Sequence, residues 1–209
     1  MIGELIREIN FCLDNDCCMA GLSLALTLPD ICGKAIYPDL KPSERYIKWF
    51  DEYIGQYEHD EEHIRVGMPY LSGEIVYSLR NSILHQGNPN IDGKKFGIIY
   101  FELLYRAQEG ASMVCGSSEA EIVKDENGND KAINKKITVN VRDLCWKLCK
   151  LAEKCYEEDK NKFDFFDYNL VSIDYRTRRI FRFKEKGDKK WRNSKKLMKR
   201  SINRSCLLK

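Results

Sequence analysis

Apolar residues recur at helical spacing through the first ninety positions, then give way to dense runs and alternation. That change of period limits the chain to a helical bundle followed by a smaller mixed segment. Ile2, Leu5, Ile6, Ile9, Cys12 and Leu13 form one stripe over 2–14, and residues 17 to about 37 predict a second, more buried helical region. Pro29-Asp30 breaks or restarts it. Ser43 is placed to cap a third helix, Arg45 to Tyr57, whose Tyr46, Ile47, Phe50 and Ile54 share a face. Residues 58–67 read as a polar loop. A fourth helix runs from Met68-Pro69, where proline fits the first turn, to Gly87 with Pro89 beyond. Its stripe is Leu71, Ile75, Val76, Leu79, Ile83 and Leu84, which puts Arg80 and His85 at the boundary of a packed face.

Beyond residue 92 the pattern is that of strands. Phe96 to Tyr105 is a dense apolar run, Ser112 to Cys115 is another, and Glu119 to Val123 alternates toward Asn127-Gly128, a hairpin dipeptide leading to Ile133–Val139. Asn140 can cap a long amphipathic helix carrying Val141, Leu144, Cys145, Leu148, Leu151, Cys155 and Tyr156. The expected fold is mainly α: a helical bundle over 1–92, a strand-rich, hairpin-containing insertion plus an amphipathic helix packing on the bundle over 93–160, and a basic C-terminal segment over 161–209. A chain of 209 residues with 43% hydrophobic content can fill such a core.

The net charge of +3 conceals two unequal parts. Residues 175–209 hold 15 Lys or Arg against Glu185 and Asp188, so this stretch is about +13 and the body about −10. A basic tail on an acidic body implies a polyanionic partner. Tyr175, Phe181, Phe183 and Trp191 interleave with the charges, as stacking on unpaired bases requires. The candidate RNA-binding residues are Arg176, Arg178, Arg179, Arg182, Lys189, Lys190, Trp191, Arg192, Lys195 and Lys196. Tyr175–Phe183 also alternates well enough for a strand, and the tail could instead dock on the acidic body; both readings stay open.

Nine cysteines, an odd number without a secretory signal, point to reduced thiols in the cytoplasm, mainly small buried residues. Their spacing matches no paired zinc pattern. His59-Asp60-Glu61-Glu62-His63 places two histidines at i and i+4, but Asp60 stands where a metalloprotease needs Glu, and a charged loop or helix end is the better reading. No metal or other cofactor is expected. No membrane span is expected, since the apolar stretches are short. The absence of a glycine-rich phosphate loop and of a G-x-S-x-G elbow removes support for a nucleoside triphosphatase or a serine hydrolase.

Arg80-Asn81-Ser82-Ile83-Leu84-His85 is the stretch that carries chemistry. Arg holds developing negative charge and His moves protons, the two requirements of phosphodiester cleavage. With 13 Arg, 13 Asn and 3 His in the chain, this combination arises by chance about once in a hundred such sequences. Arg80-Asn81-x-x-x-His85, ending a helix of an N-terminal bundle, resembles the R-x4-6-H signature of the HEPN superfamily, in which a polar residue usually follows the Arg. The resemblance covers roughly residues 1–92.

What the resemblance implies is a metal-independent endoribonuclease acting on single-stranded RNA, a homodimer in which two motifs face one cleft. Arg80, Asn81 and His85 are then the catalytic candidates. It also implies a toxin or anti-phage defence role, with an antitoxin protein as a further partner. Residues five apart on a helix differ by about 140° after one turn, so Arg80 and His85 do not share a face, whereas Asn81 and His85 do. Asn81 is therefore placed to orient the imidazole, and a distorted helix or a second subunit must complete the site. The rival readings are a non-catalytic HEPN-like dimer that binds RNA or nucleotide, and a transcription regulator whose tail contacts DNA. In the blandest one, Arg80 pairs with an acid such as Glu74 or Asp51 and His85 caps the helix C-terminus.

Overall fold

The structure is a computed structural model. It describes residues 2–59, 61–65, 67–93, 97–104, 115–165, 171–174 and 179–182. The chain divides into two compact units, Ile2–Phe166 and a second containing Asp167–Lys209.

The larger unit is mainly helical, with one small sheet. Helix α1 (Ile2–Asp14) buries Ile2, Leu5, Ile9 and Leu13, the expected stripe. The apolar region after it forms two helices, α2 (Cys18–Ala25) and α3 (Leu28–Ile36), with Pro29 in the first turn of α3 where a missing N–H costs nothing. Cys18–Ile36 is long and apolar enough to cross a membrane by length and composition, and 56% of that window is buried inside the fold. Helix α4 (Pro42–Tyr53) begins one residue ahead of Ser43, because Pro42 sets the first turn and Glu44 accepts the Lys41 N–H. Its Tyr46, Trp49 and Phe50 are fully buried and form the largest side chains of the core.

Helix α4 ends at Tyr53 and the last residues expected in it, Gly55–Tyr57, form a 3₁₀ turn, while the stretch expected as a polar loop contains the short helix α5 (Glu61–Arg65). Helix α6 spans Gly73–Gln86 and starts later than proline placement suggested. Ser72 is its N-cap, its hydroxyl accepting the Ile75 N–H at 3.3 Å. The Gly73 N–H has a tertiary acceptor, Asp51 Oδ1 at 2.6 Å, so the first free donors of the helix are satisfied at this point and not at Met68. The helix stops at Gly87, whose φ of +66° is the left-handed cap that a side chain disfavours. Leu84, assigned to the buried stripe by periodicity, is 40% exposed, since it sits in the last turn.

Four strands follow, β1 (Ile91–Gly93), β2 (Gly97–Leu104), β3 (Gly116–Lys124) and β4 (Asp130–Asn140), in the order β1-β2-β4-β3. The β3–β4 pair is the antiparallel hairpin expected around Asn127-Gly128. β2 lies parallel to β4, with Phe101 opposite Ile137 and Leu103 opposite Val139. Ile99, Phe101, Ile137 and Val139 turn into the core, and Ile98, Tyr100 and Leu104 lie on the open side of β2. Helix α7 (Val141–Glu158) follows β4 directly, capped by Asn140, and packs against α1, α2 and α3. Its buried Leu144, Cys145, Leu148, Cys149, Ala152 and Cys155 close the bundle.

The second unit contains a two-stranded antiparallel ladder, β5 (Val171–Asp174) with β6 (Arg179–Arg182).

Candidate functional site

Arg80 emerges from the middle of α6 toward α3, and its guanidinium is held at two of its three nitrogens. Nη2 meets Asp30 Oδ2 at 3.0 Å, and Nη1 donates to Asn81 Oδ1 at 2.8 Å. Nε is buried and has no hydrogen-bond partner. Arg80 and Asp30 are 22% and 24% exposed, so the group is partly withdrawn from solvent yet reachable. Burial raises the Asp30 pKa above the ordinary carboxylate value, against the opposing pull of Arg80 and then Arg45.

Beneath this group lies an aromatic floor. Tyr46 of α4 donates to the Leu26 carbonyl at 3.2 Å, and Tyr77 of α6 stacks edge-on against it at 5.1 Å. Burial first, then the Asp30 charge, push the Tyr46 phenol well above its usual range, so it is neutral at any physiological pH. The floor fixes α4 against α6 and therefore the origin of the Arg80 side chain.

His85 stands in the last turn of α6, exposed, with no hydrogen-bond or ion-pair partner among the described residues. Asn81 is committed to Arg80, so the expected Asn81–His85 hydrogen bond is absent. A side-chain amide one residue from a guanidinium reaches it more readily than an imidazole one turn away whose ring is drawn out to solvent. The acid partner of Arg80 is likewise neither Glu74 nor Asp51. It is Asp30, 50 positions away in sequence, brought close by the packing of helices and marked by no local spacing.

Two other groups escaped sequence reasoning. Glu58, in the expected polar loop, has a side chain only 1% exposed; its two oxygens accept the Cys115 N–H at 3.1 and 3.0 Å, and Lys147 Nζ lies 3.1 Å away. A cleft of about 500 Å³ opens between α4, the segment before α6, and the sheet, lined among others by Asp51, Tyr70, Glu74, Ile99 and Lys135. His59 stacks on Tyr70 at 4.5 Å. Among the described residues no group of three or more His, Cys, Asp or Glu is arranged to hold a metal ion.

Of the candidate RNA-binding residues, Arg179 and Arg182 lie on β6, paired in register with Asp174 and Val171. Arg176, Arg178, Lys189, Lys190, Trp191, Arg192, Lys195 and Lys196 lie outside the described residues. Compared with models of protein families, with curated proteins and with solved structures, the chain matches none.

Proposed function

We propose that this chain is a HEPN-like, metal-independent endoribonuclease acting on single-stranded RNA in the cytoplasm. The observation that carries the reading is the Arg80 guanidinium, pre-oriented by Asp30 and Asn81, on the same short helix segment as an exposed, unpartnered His85. Pre-oriented donors stabilise developing charge at little reorganisation cost.

In this reaction neutral His85 takes the proton of a ribose 2′-hydroxyl, and that oxygen attacks the adjacent phosphorus. Arg80 stabilises the pentavalent phosphorane. The 5′-oxygen leaves with a proton from a second imidazole, and the products carry a 2′,3′-cyclic phosphate and a 5′-hydroxyl. The partner's His85 supplies that imidazole, and the site is completed across a homodimer. The basic segment after residue 175 adds phosphate contacts and stacking. The same activity, aimed at cellular or phage RNA, suits a toxin or defence effector held in check by an antitoxin.

The second reading, a non-catalytic RNA- or nucleotide-binding dimer, is favoured by the ion pair itself. Asp30 neutralises much of the charge that Arg80 would offer a phosphorane.

The test is incubation of the full chain and a His85→Ala variant with single-stranded RNA in excess chelator, followed by analysis of product ends. Cyclic phosphate from the wild type and none from His85→Ala supports cleavage. Equal activity in both rejects the mechanism, and binding without cleavage by the wild type leaves the second reading.

A further inference from the structure

Helices α3 and α4 approach so closely at Gly33 that a Cβ there would stand 2.7 Å from the Arg45 carbonyl oxygen and 3.4 Å from Arg45 Cγ. The stem of Arg45 therefore lies against this turn of α3. Asp30 is three residues before Gly33, on the same face. From the other side, Arg80 reaches the same carboxylate out of α6 at 3.0 Å. The Arg45 charge also acts on that carboxylate, so guanidinium groups from two helices bear on one acid.

The acid is spent on Arg80. Arg45 has no ion-pair or hydrogen-bond partner among the described residues, although it is only partly exposed. Its Nε is buried without an acceptor, as is the Nε of Arg80. Buried N–H groups of this kind are rare in folded proteins and point to a missing acceptor. With two cations against one carboxylate, the cluster keeps a positive surplus in a setting where charge is poorly screened. The ligand that satisfies it is an oxyanion, and planar guanidinium forks match phosphate oxygens in pairs.

We infer that Arg45 and Arg80 form a phosphate subsite for the backbone of single-stranded RNA, with Asp30 holding the Arg80 guanidinium in place. The inference rests on the reading of RNA as ligand and adds Arg45 to the residues that bind it. Arg45 positions the strand; the chemistry stays with Arg80 and His85.

The experiment is equilibrium binding of the full chain to a short 2′-O-methyl RNA, which cannot be cleaved, over a range of salt. Arg45→Gln is compared with Arg45→Lys and with Lys150→Gln, which removes a charge from an exposed position of α7. Arg45→Gln should weaken binding by about tenfold and lower the salt slope by about 0.7, the value for one phosphate contact on a single strand. Arg45→Lys, which keeps the charge but not the fork, should weaken it by about threefold with the slope kept. Lys150→Gln should bind as the wild type does. Should Arg45→Gln prove unfolded by thermal scan, Arg45→Lys decides.

Wild-type affinity and slope in the deciding variant overturn the subsite, as does an equal loss in Lys150→Gln or a wild type that binds no RNA. A wild type that binds without cleaving, with Arg45→Gln weakened, leaves the subsite standing while the ribonuclease reading falls. Cleavage by the wild type with Arg45→Gln unchanged in binding does the reverse.

Discussion

Arg80 of α6 and Asp30 of α3 meet at 3.0 Å, each less than a quarter exposed, and Asn81 holds the opposite side of the same guanidinium. The contact is both a tie between two helices and a constraint on where the cationic plane points. Its two roles separate under substitution.

Asp30→Asn keeps the shape and removes the charge. Ionised Asp30 is itself disfavoured by burial, so the loss of stability stays within about 1 kcal/mol in urea denaturation. RNA affinity rises by roughly threefold because a negative charge leaves the vicinity of the phosphates. If the protein cleaves RNA, the rate at saturating RNA falls by about tenfold, since Arg80 is no longer held. Unchanged affinity and rate would reduce the pair to a purely structural contact.

Glu58 behaves differently because its side chain is almost fully buried. Glu58→Ala leaves the Cys115 N–H without its carboxylate and Lys147 without this counter-ion, and should cost about 3 kcal/mol. Adding Lys147→Met to Glu58→Gln should recover part of the loss seen in Glu58→Gln alone, because the cation that faced the carboxylate is then gone. Denaturant midpoints of the single and double variants provide the check, and simple additivity would deny the coupling.

Asp51 offers a pH dependence of definite sign. Burial raises its folded pKa, while the Gly73 N–H pulls it back down. A carboxyl that ionises later in the folded than in the unfolded state adds stability that is full below about pH 4 and is lost as pH rises through the folded value. Asp51→Asn keeps the Oδ1 acceptor for Gly73 and lacks the titration. The stability of the wild type relative to Asp51→Asn should therefore decline as pH rises from about 4 through the folded value. A flat difference across that range would exclude the burial effect.

Cys155 of α7 and Cys32 of α3 share a hydrogen bond that lowers the Cys155 thiol to about 7 and raises Cys32 well above the ordinary range. Both are nearly or fully buried, so labelling by a small alkylating agent is slow. Its rate at Cys155 should nonetheless climb through about pH 7, and Cys32→Ala should move that climb to the ordinary thiol range. Peptide mass spectrometry across pH reads both, and an identical profile in Cys32→Ala would refute the coupling.

Most helices could be read from the sequence because their information is local. The stripe of α1, the left-handed stop at Gly87, the hairpin at Asn127-Gly128 and the Asn140 cap each depend on residues within a turn or two. The late start of α6 was hidden because one of the acceptors that defines it, Asp51, lies on another helix. Of the candidate site, Arg80 and His85 were visible through their types and spacing. Asp30 and Arg45 were not, since no periodicity links α3 and α4 to α6.

The sequence by itself determined most of the helices, the stop at Gly87, and that a cation and an imidazole share one helix, because propensity, capping and apolar period act over short distances. Only the tertiary structure decided the parallel pairing of β2 with β4, the burial of Glu58, and the clamp that Asp30 and Asn81 put on Arg80. Those depend on which apolar faces bury one another, and charged groups carried along by that packing must then find partners wherever the fold places them.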